Sequence, residues 1–215
     1  FTSIGSNGQV DVRVPPDGVY LEYDKTGQEG RGWFVRSEDF SPVPNGVYFQ
    51  VSVNVNDSYA TNNPDAANFY IGQSFDDNAS RPNDNNVFAD ISIGSIVDNT
   101  FYFRNQRLGL NSAVYSGMTQ LTMVLNNRLN DTLNYVAPDG GRYVLNAQQY
   151  DVWINNSLFL KNVNRISNNV VTLTDFSFLL ENGPVKIQLT DFLIREVAGI
   201  LPVEFTYFQA QPIGS

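Results

Sequence analysis

A chain of 215 residues with 22 acidic and 13 basic side chains, a net charge of −9 and neither cysteine nor histidine is poorly suited to gripping nucleic acid or inserting into an anionic membrane. Phosphate recognition needs clustered Lys and Arg, and here the basic residues are scattered singly. Without Cys and His, thiol nucleophiles, the usual zinc sites and Ser-His-Asp triads are excluded. Acidic polysaccharides are disfavoured only on average, because one local basic patch can override the mean field. Hydrophobic residues make up 42% and charged residues 16%, so a core is available while surface polarity comes from Asn, Ser, Thr, Gln and Asp. No apolar run is long enough to span a bilayer. The chain begins at Phe1 without a signal-like stretch, as expected of a mature or excised segment.

Alternation of period two dominates from the start. Val10, Val12 and Val14 alternate with polar residues before a Pro15-Pro16-Asp17-Gly18 turn. Strands are expected next at Val19–Tyr23 and Gly32–Arg36. Val47, Phe49, Val51, Val53 and Val55 then mark a long strand with one apolar face. Asn56 to Asn86 is rich in Asn, Asp, Ser and Pro and reads as an elaborated or solvated loop around one short strand, Asn68–Gly72. Further strands are expected at Val87–Ile93, Thr100–Arg104, Thr119–Leu125, Leu133–Val136, Tyr150–Ile154, Leu158–Leu160, Val170–Leu180 and Val185–Ile194. Asp139-Gly140-Gly141 and Asn155-Asn156 supply turns between them. No segment holds a helical period. The pattern indicates an all-β antiparallel sandwich or jelly roll over residues 1–198, with 199–215 a linker and the first strand of a following domain.

Two resemblances bear on this reading. The run Leu201-Pro202-Val203-Glu204-Phe205-Thr206-Tyr207-Phe208 resembles a junction in secreted Bacteroidota proteins ahead of type IX secretion sorting domains. The body resembles the concanavalin A-like (laminin G-like) jelly rolls. The runs that carry this are Asn99–Arg104, Leu121–Asn127, Tyr150–Asn155 and Leu189–Arg195. Together they imply extracellular or cell-surface placement and a role in glycan binding, adhesion or architecture, without naming a ligand.

Candidate chemistry is sparse. Glycosidases of the laminarinase type carry three acids at Glu-x-Asp-x-x-Glu spacing, which this chain lacks. Glu22 and Asp24 share a strand face without a third partner. Tyr102 and Arg104, two apart on one strand, could serve a lyase or a sugar-binding face, or simply decorate a surface. Alternation places Asp151, Trp153 and Asn155 opposite Tyr150, Val152 and Ile154. If the latter trio is core, the former is a sugar platform of ring, acid and amide; in the reverse register Trp153 is core. Trp33, between Gly32 and Phe34, is open to the same two readings. Asp57, Asp76, Asp77, Asn78 and Asp84 offer oxygen ligands for a structural calcium ion, the one cofactor considered, or form a solvated acidic loop. Asp131-Thr132-Leu133 fits an O-glycosylation pattern at Thr132.

These observations predict a noncatalytic extracellular module that binds a polysaccharide or surface glycan, or mediates adhesion. The alternatives are an assembly module contacting neighbouring domains or subunits through strand edges, and a polysaccharide lyase or hydrolase domain.

Overall fold

The computed structural model describes residues 3–14, 20–37, 40, 42–57, 62–197 and 202–204, the last three as backbone. In chain order the strands are β1 Ser3–Ser6, β2 Val10–Arg13, β3 Leu21–Lys25, β4 Gly32–Arg36, β5 Gly46–Asp57 and β6 Asn63–Gly72. After a single 3-10 turn at Asp84–Asn86 come β7 Val87–Ser95, β8 Thr100–Asn105, β9 Leu110–Asn111, β10 Tyr115–Ser116, β11 Thr119–Asn126 and β12 Leu133–Val136. The remainder are β13 Arg142–Leu145, β14 Gln149–Ile154, β15 Ser157–Asn164, β16 Asp175–Leu180, β17 Val185–Glu196 and β18 Pro202–Glu204.

They form two eight-stranded antiparallel sheets. The first runs β1-β4-β16-β6-β7-β8-β10 with β9 also on β8; the second runs β15-β14-β11-β5-β17-β3-β2 with β18 on β17. The hairpin β12–β13 is a separate two-stranded unit. The predicted all-β sandwich is the observed architecture.

The inner faces meet in one aromatic-rich core. Phe34, Phe178, Phe69 and Ile91 stand side by side across four strands of the first sheet. Phe34 stacks on Phe178 at 5.4 Å and meets Phe192 of the second sheet edge-on at 5.2 Å, geometries that suit the ring quadrupole. Along β17 the apolar phase changes: Val185, Ile187 and Leu189 face the core, and so do Phe192 and Ile194. A bulge reconciles the two halves. The pairing with β5 shifts between Thr190 and Leu193, and Asp191 takes a left-handed φ of 53°.

Three expectations need correction. Within 56–86, β5 runs on to Asp57 and β6 spans Asn63–Gly72, twice the length expected of the single short strand, so that among the described residues the long loop is confined to 73–86. The strand expected from Val170 begins only at Asp175. Before it, Thr172 gives its N–H to the side-chain oxygen of Gln73 at 2.6 Å instead of to a ladder partner. Ser3–Ser6, Leu110–Asn111, Tyr115–Ser116 and Arg142–Leu145 were not expected as strands; they are two to four residues long, too short for a period to register. The Pro15–Gly18 turn lies outside the described residues. Of the segment 199–215, only Pro202–Glu204 is described, as a strand paired with Leu193–Arg195.

The β15 edge is broken by two register shifts against β14, and Asn162 has a φ of 51°. Such bulges twist an edge away from further pairing.

Candidate functional site

Each sheet has an outer face, and the two are covered differently. On the second sheet Tyr150, Val152 and Ile154 point into the main core, as alternation requires, so Asp151 and Trp153 point outward. The β12–β13 hairpin lies over them. Leu133, Tyr135, Ala137 and Leu145 pack on Trp153, Val124 and Tyr48 in a second apolar cluster. Trp153 is 1% exposed and Asp151 fully buried, so the expected open sugar platform is a closed seam.

The polar atoms of Trp153, Tyr135 and Asp151 are matched internally. Trp153 Nε1 donates to the Tyr135 hydroxyl at 3.0 Å, which donates to Asp151 Oδ2 at 2.6 Å. Asp151 Oδ1 accepts the backbone N–H of Asn162 at 2.6 Å, tying the β15 bulge to the same network. Asn155 is a turn residue with φ of 52° whose Oδ1 accepts the N–H of Gln120 at 2.9 Å. The three residues therefore share no ligand-facing surface.

The outer face of the first sheet is more open. Register places Gly5, Trp33, Leu179, Asn68, Ser92 and Arg104 in one cross-strand row. From Trp33 to Arg104 the row spans roughly 19 Å at ordinary strand spacing. Its middle is a buried polar relay: Gln106 Nε2 donates to Ser92 Oγ at 2.8 Å, and Ser92 Oγ donates to Asn68 Oδ1 at 2.6 Å. The loop 73–86 closes over the row above, where Tyr70 lies beside Asp90. Phe75 packs against Val35, Tyr70 and Leu179, the Arg81 guanidinium lies 6.0 Å from the Tyr70 ring, and Arg107 pairs with Asp84 at 2.8 Å.

Beneath that loop Asp90 is 6% exposed, and its Oδ1 meets no hydrogen-bond donor. Burial raises its pKa above the ordinary carboxylate value, against the lowering effect of Arg107 and Arg81. Its folded-state pKa therefore exceeds the unfolded one, so charging it destabilises the fold as pH rises through that interval. Asp90→Asn is expected to stabilise the protein at neutral pH by about 1–2 kcal/mol, with the gain vanishing below about pH 4. Urea unfolding of both proteins at the two pH values checks this; equal midpoints at neutral pH would refute it.

At the β1–β4 end the row opens into a groove of about 580 Å³ lined by Trp33, Asn7, Glu29, Arg31, Asn78 and Glu181 among others. Trp33 is half-buried. Its Nε1 donates to Ser3 Oγ at 3.1 Å. Its six-membered ring lies so close to Gly5 that a Cβ there would come within 2.5 Å of Cζ2; only glycine lets the indole settle on the β1 backbone. Arg31 donates to the carbonyl of Ala79 at 2.8 Å and pairs with Glu181 at 3.4 Å. The groove floor is braced by Lys25, fully buried, whose Nζ donates to the carbonyls of Gly30 and Glu181, each at 2.6 Å. Arg31 and Glu181 are 150 positions apart, and no local sequence signal joins them.

The other expected residues are dispersed. Tyr102 and Arg104 do share the outer face of the first sheet, but Arg104 pairs with Asp65 at 3.6 Å, and the Tyr102 ring leans on Gly94. Burial raises the pKa of Tyr102, Arg104 lowering and Asp65 raising it further. Glu22 accepts from Gln188 Nε2 at 2.8 Å and Asp24 pairs with Lys186 at 3.0 Å, so both acids serve the second sheet. Among the described residues the calcium set is not assembled. No group of three acids among the described residues could hold a metal. Asp84 is engaged by Arg81 and Arg107, Asp77 by Ser37 and Asn78 by the Ser80 N–H. Asp76 is exposed, and the Asp57 side chain lies outside the described residues. Thr132 is exposed just before β12.

No protein-family model matches the chain, and no curated protein matches it in sequence. Solved structures do match in shape. A sialidase superposes with a TM-score of 0.54 at 9% identity, over 91% of this chain and 17% of its own. A carbohydrate esterase from Shiga toxin-encoding bacteriophage phi24B gives 0.51 at 9% identity, over 89% of each chain. The metal-free carbohydrate recognition domain of Emp46p gives 0.51 at 6% identity, over 90% of this chain and 88% of its own. The fold is concanavalin A-like. The chain spans less than a fifth of the sialidase, and at these identities the likeness to all three is one of fold. Structures of this shape include a carbohydrate recognition domain and a carbohydrate esterase, so the fold by itself assigns no role.

Proposed function

We propose that the chain is a noncatalytic carbohydrate-binding module of a secreted, cell-surface protein, and that it takes sugar in the groove beside Trp33. The observation that carries this is the seating of Trp33: a half-buried indole resting on Gly5, at the wall of a groove edged by a guanidinium, carboxylates and amides. Apolar sugar faces stack on such rings, and the surrounding fixed donors and acceptors meet hydroxyls. The concanavalin A-like fold supports the reading by analogy. The extracellular setting rests on the charge-poor, Asn-rich composition and on the resemblance of Leu201–Phe208 to Bacteroidota junctions.

A broad glycan array followed by calorimetry tests it. Trp33→Ala is expected to weaken a specific hit at least tenfold, which corresponds to about 1.4 kcal/mol, in a protein that keeps its β-sheet spectrum. Undiminished affinity in the folded variant removes the assignment.

Two observations bear on the alternatives. A lyase that used Tyr102 as its base would need a lowered phenol pKa near the working pH, and burial moves it the other way. A hydrolase reading rests on Glu29 and Glu181, which line the same groove; polysaccharide turnover abolished by Glu181→Gln would replace the noncatalytic reading. Assembly through strand edges loses support at β15, where the bulges interrupt the ladder.

A further inference from the structure

On the far side of the molecule, between the β12–β13 hairpin and the end of β17, lies a second groove of about 370 Å³, lined by Asn134, Tyr135, Val136, Arg142, Arg195 and Val197. Its two arginines differ from most others in the chain. Arg13, Arg31, Arg81, Arg104 and Arg107 each pair with a carboxylate. Neither Arg142 nor Arg195 pairs with a carboxylate among the described residues. In a protein of net charge −9, two guanidinium groups that line one groove with no carboxylate partner among the described residues form a local field opposed to the mean one.

The walls are fixed. The Arg195 guanidinium lies 4.3 Å from the centre of the Tyr48 ring, a cation–π contact that restrains its planar fork before any ligand arrives. The Tyr135 hydroxyl is held between Trp153 and Asp151, which fixes β12 and with it the position of Val136. Arg142 stands directly across the hairpin from Val136, which is 52% exposed and leaves an apolar surface beside the charge.

We infer that this groove is a binding site for a compact carboxylate ligand, of the size of one sugar acid, whose carboxylate is clasped by Arg142 and Arg195 while its apolar face lies on Val136. Paired guanidinium forks match carboxylate geometry bidentately, and a groove of this volume suits a small ligand rather than a polymer backbone. The site is separate from the Trp33 groove and does not depend on it.

Calorimetric titration of the full chain with a uronic acid, the corresponding neutral sugar and succinate tests the inference. Saturable binding of the uronic acid, absent for the neutral sugar, is expected. It should weaken at least tenfold in Arg142→Gln and in Arg195→Gln and weaken further with added salt. Both positions are solvent-accessible, so the variants should fold. Uronic acid preferred over succinate identifies a sugar acid as the ligand; equal affinity identifies any compact carboxylate, and either result supports the site. No saturable binding of either acid, equal binding of the neutral sugar, or affinity unchanged in both variants overturns it.

Discussion

Trp153→Ala is expected to destabilise the protein by about 3–5 kcal/mol, a large share of the roughly 5–15 kcal/mol that holds a typical domain. The indole is buried beneath the hairpin, with the Tyr143 ring edge-on at 4.8 Å. Removing it empties the seam and strands two further groups: the Tyr135 hydroxyl loses its donor, and the hairpin loses its anchor on the second sheet. A gentler variant separates packing from hydrogen bonding. Tyr135→Phe keeps the ring but leaves Asp151 Oδ2 without its donor, at a cost of about 1–3 kcal/mol. Urea denaturation followed by fluorescence and by circular dichroism measures both. Were Trp153→Ala to lose less than about 1 kcal/mol, the hairpin would be an ornament and the outer face of the second sheet would be open after all. Sugar binding at Trp33 should survive Trp153→Ala under conditions where that variant stays folded, because the two residues lie on different sheets.

Alkaline pH is expected to unfold the protein steeply. Tyr23, Tyr70, Tyr135 and Tyr150 are 5% exposed or less, and burial raises the pKa of each phenol above its ordinary value. Tyr135 is raised further by its bond to Asp151, and Tyr150 by the charge of Asp90. Because the folded-state pKa exceeds the unfolded one, their contribution is complete below about pH 10 and is lost as pH rises towards the folded values. Each group sets a slope of about 1.4 kcal/mol per pH unit, so four together lose about 5 kcal/mol per unit above about pH 10. Lys25 runs the other way. Burial lowers its pKa, with Glu29 opposing, so its charged form is disfavoured in the fold and its share of stability rises as pH climbs from the lowered value to the ordinary 10.5. One such group against four does not reverse the trend. Urea midpoints from about pH 8 to about pH 11.5, with tyrosinate absorbance recorded in parallel, check the slope. Phenols that ionise near pH 10 in a still-folded protein would contradict it.

Much of the fold is legible in the residues. The alternation of Val47 to Val55 marks β5 with its inward face, and Gly32–Arg36 and Leu133–Val136 have the expected bounds. Even the phase change in β17 is visible, since Val185, Ile187 and Leu189 are odd-numbered and Phe192 and Ile194 even. Only the structure shows that a left-handed Asp191 resolves it. Trp33 follows Gly30 and Gly32 in the sequence, but the glycine on which its ring rests is Gly5, on another strand. Its polar neighbours Asn7, Arg31 and Glu181 come from three strand ends and loops.

By itself the sequence determined the class of fold, the placement of most strands, and which residues along each strand share a face. It did so because alternation of period two follows from the pleat, and a single buried face imposes it locally. It could not decide which outer faces stay open. Trp153 and Trp33 both point away from the main core, yet one is sealed by a hairpin and the other lines a groove. That difference is set by where segments remote in sequence dock, here β12–β13 over the second sheet and the loop 73–86 over part of the first. Covering a face leaves the period of the strand beneath unchanged, so only the tertiary structure records it.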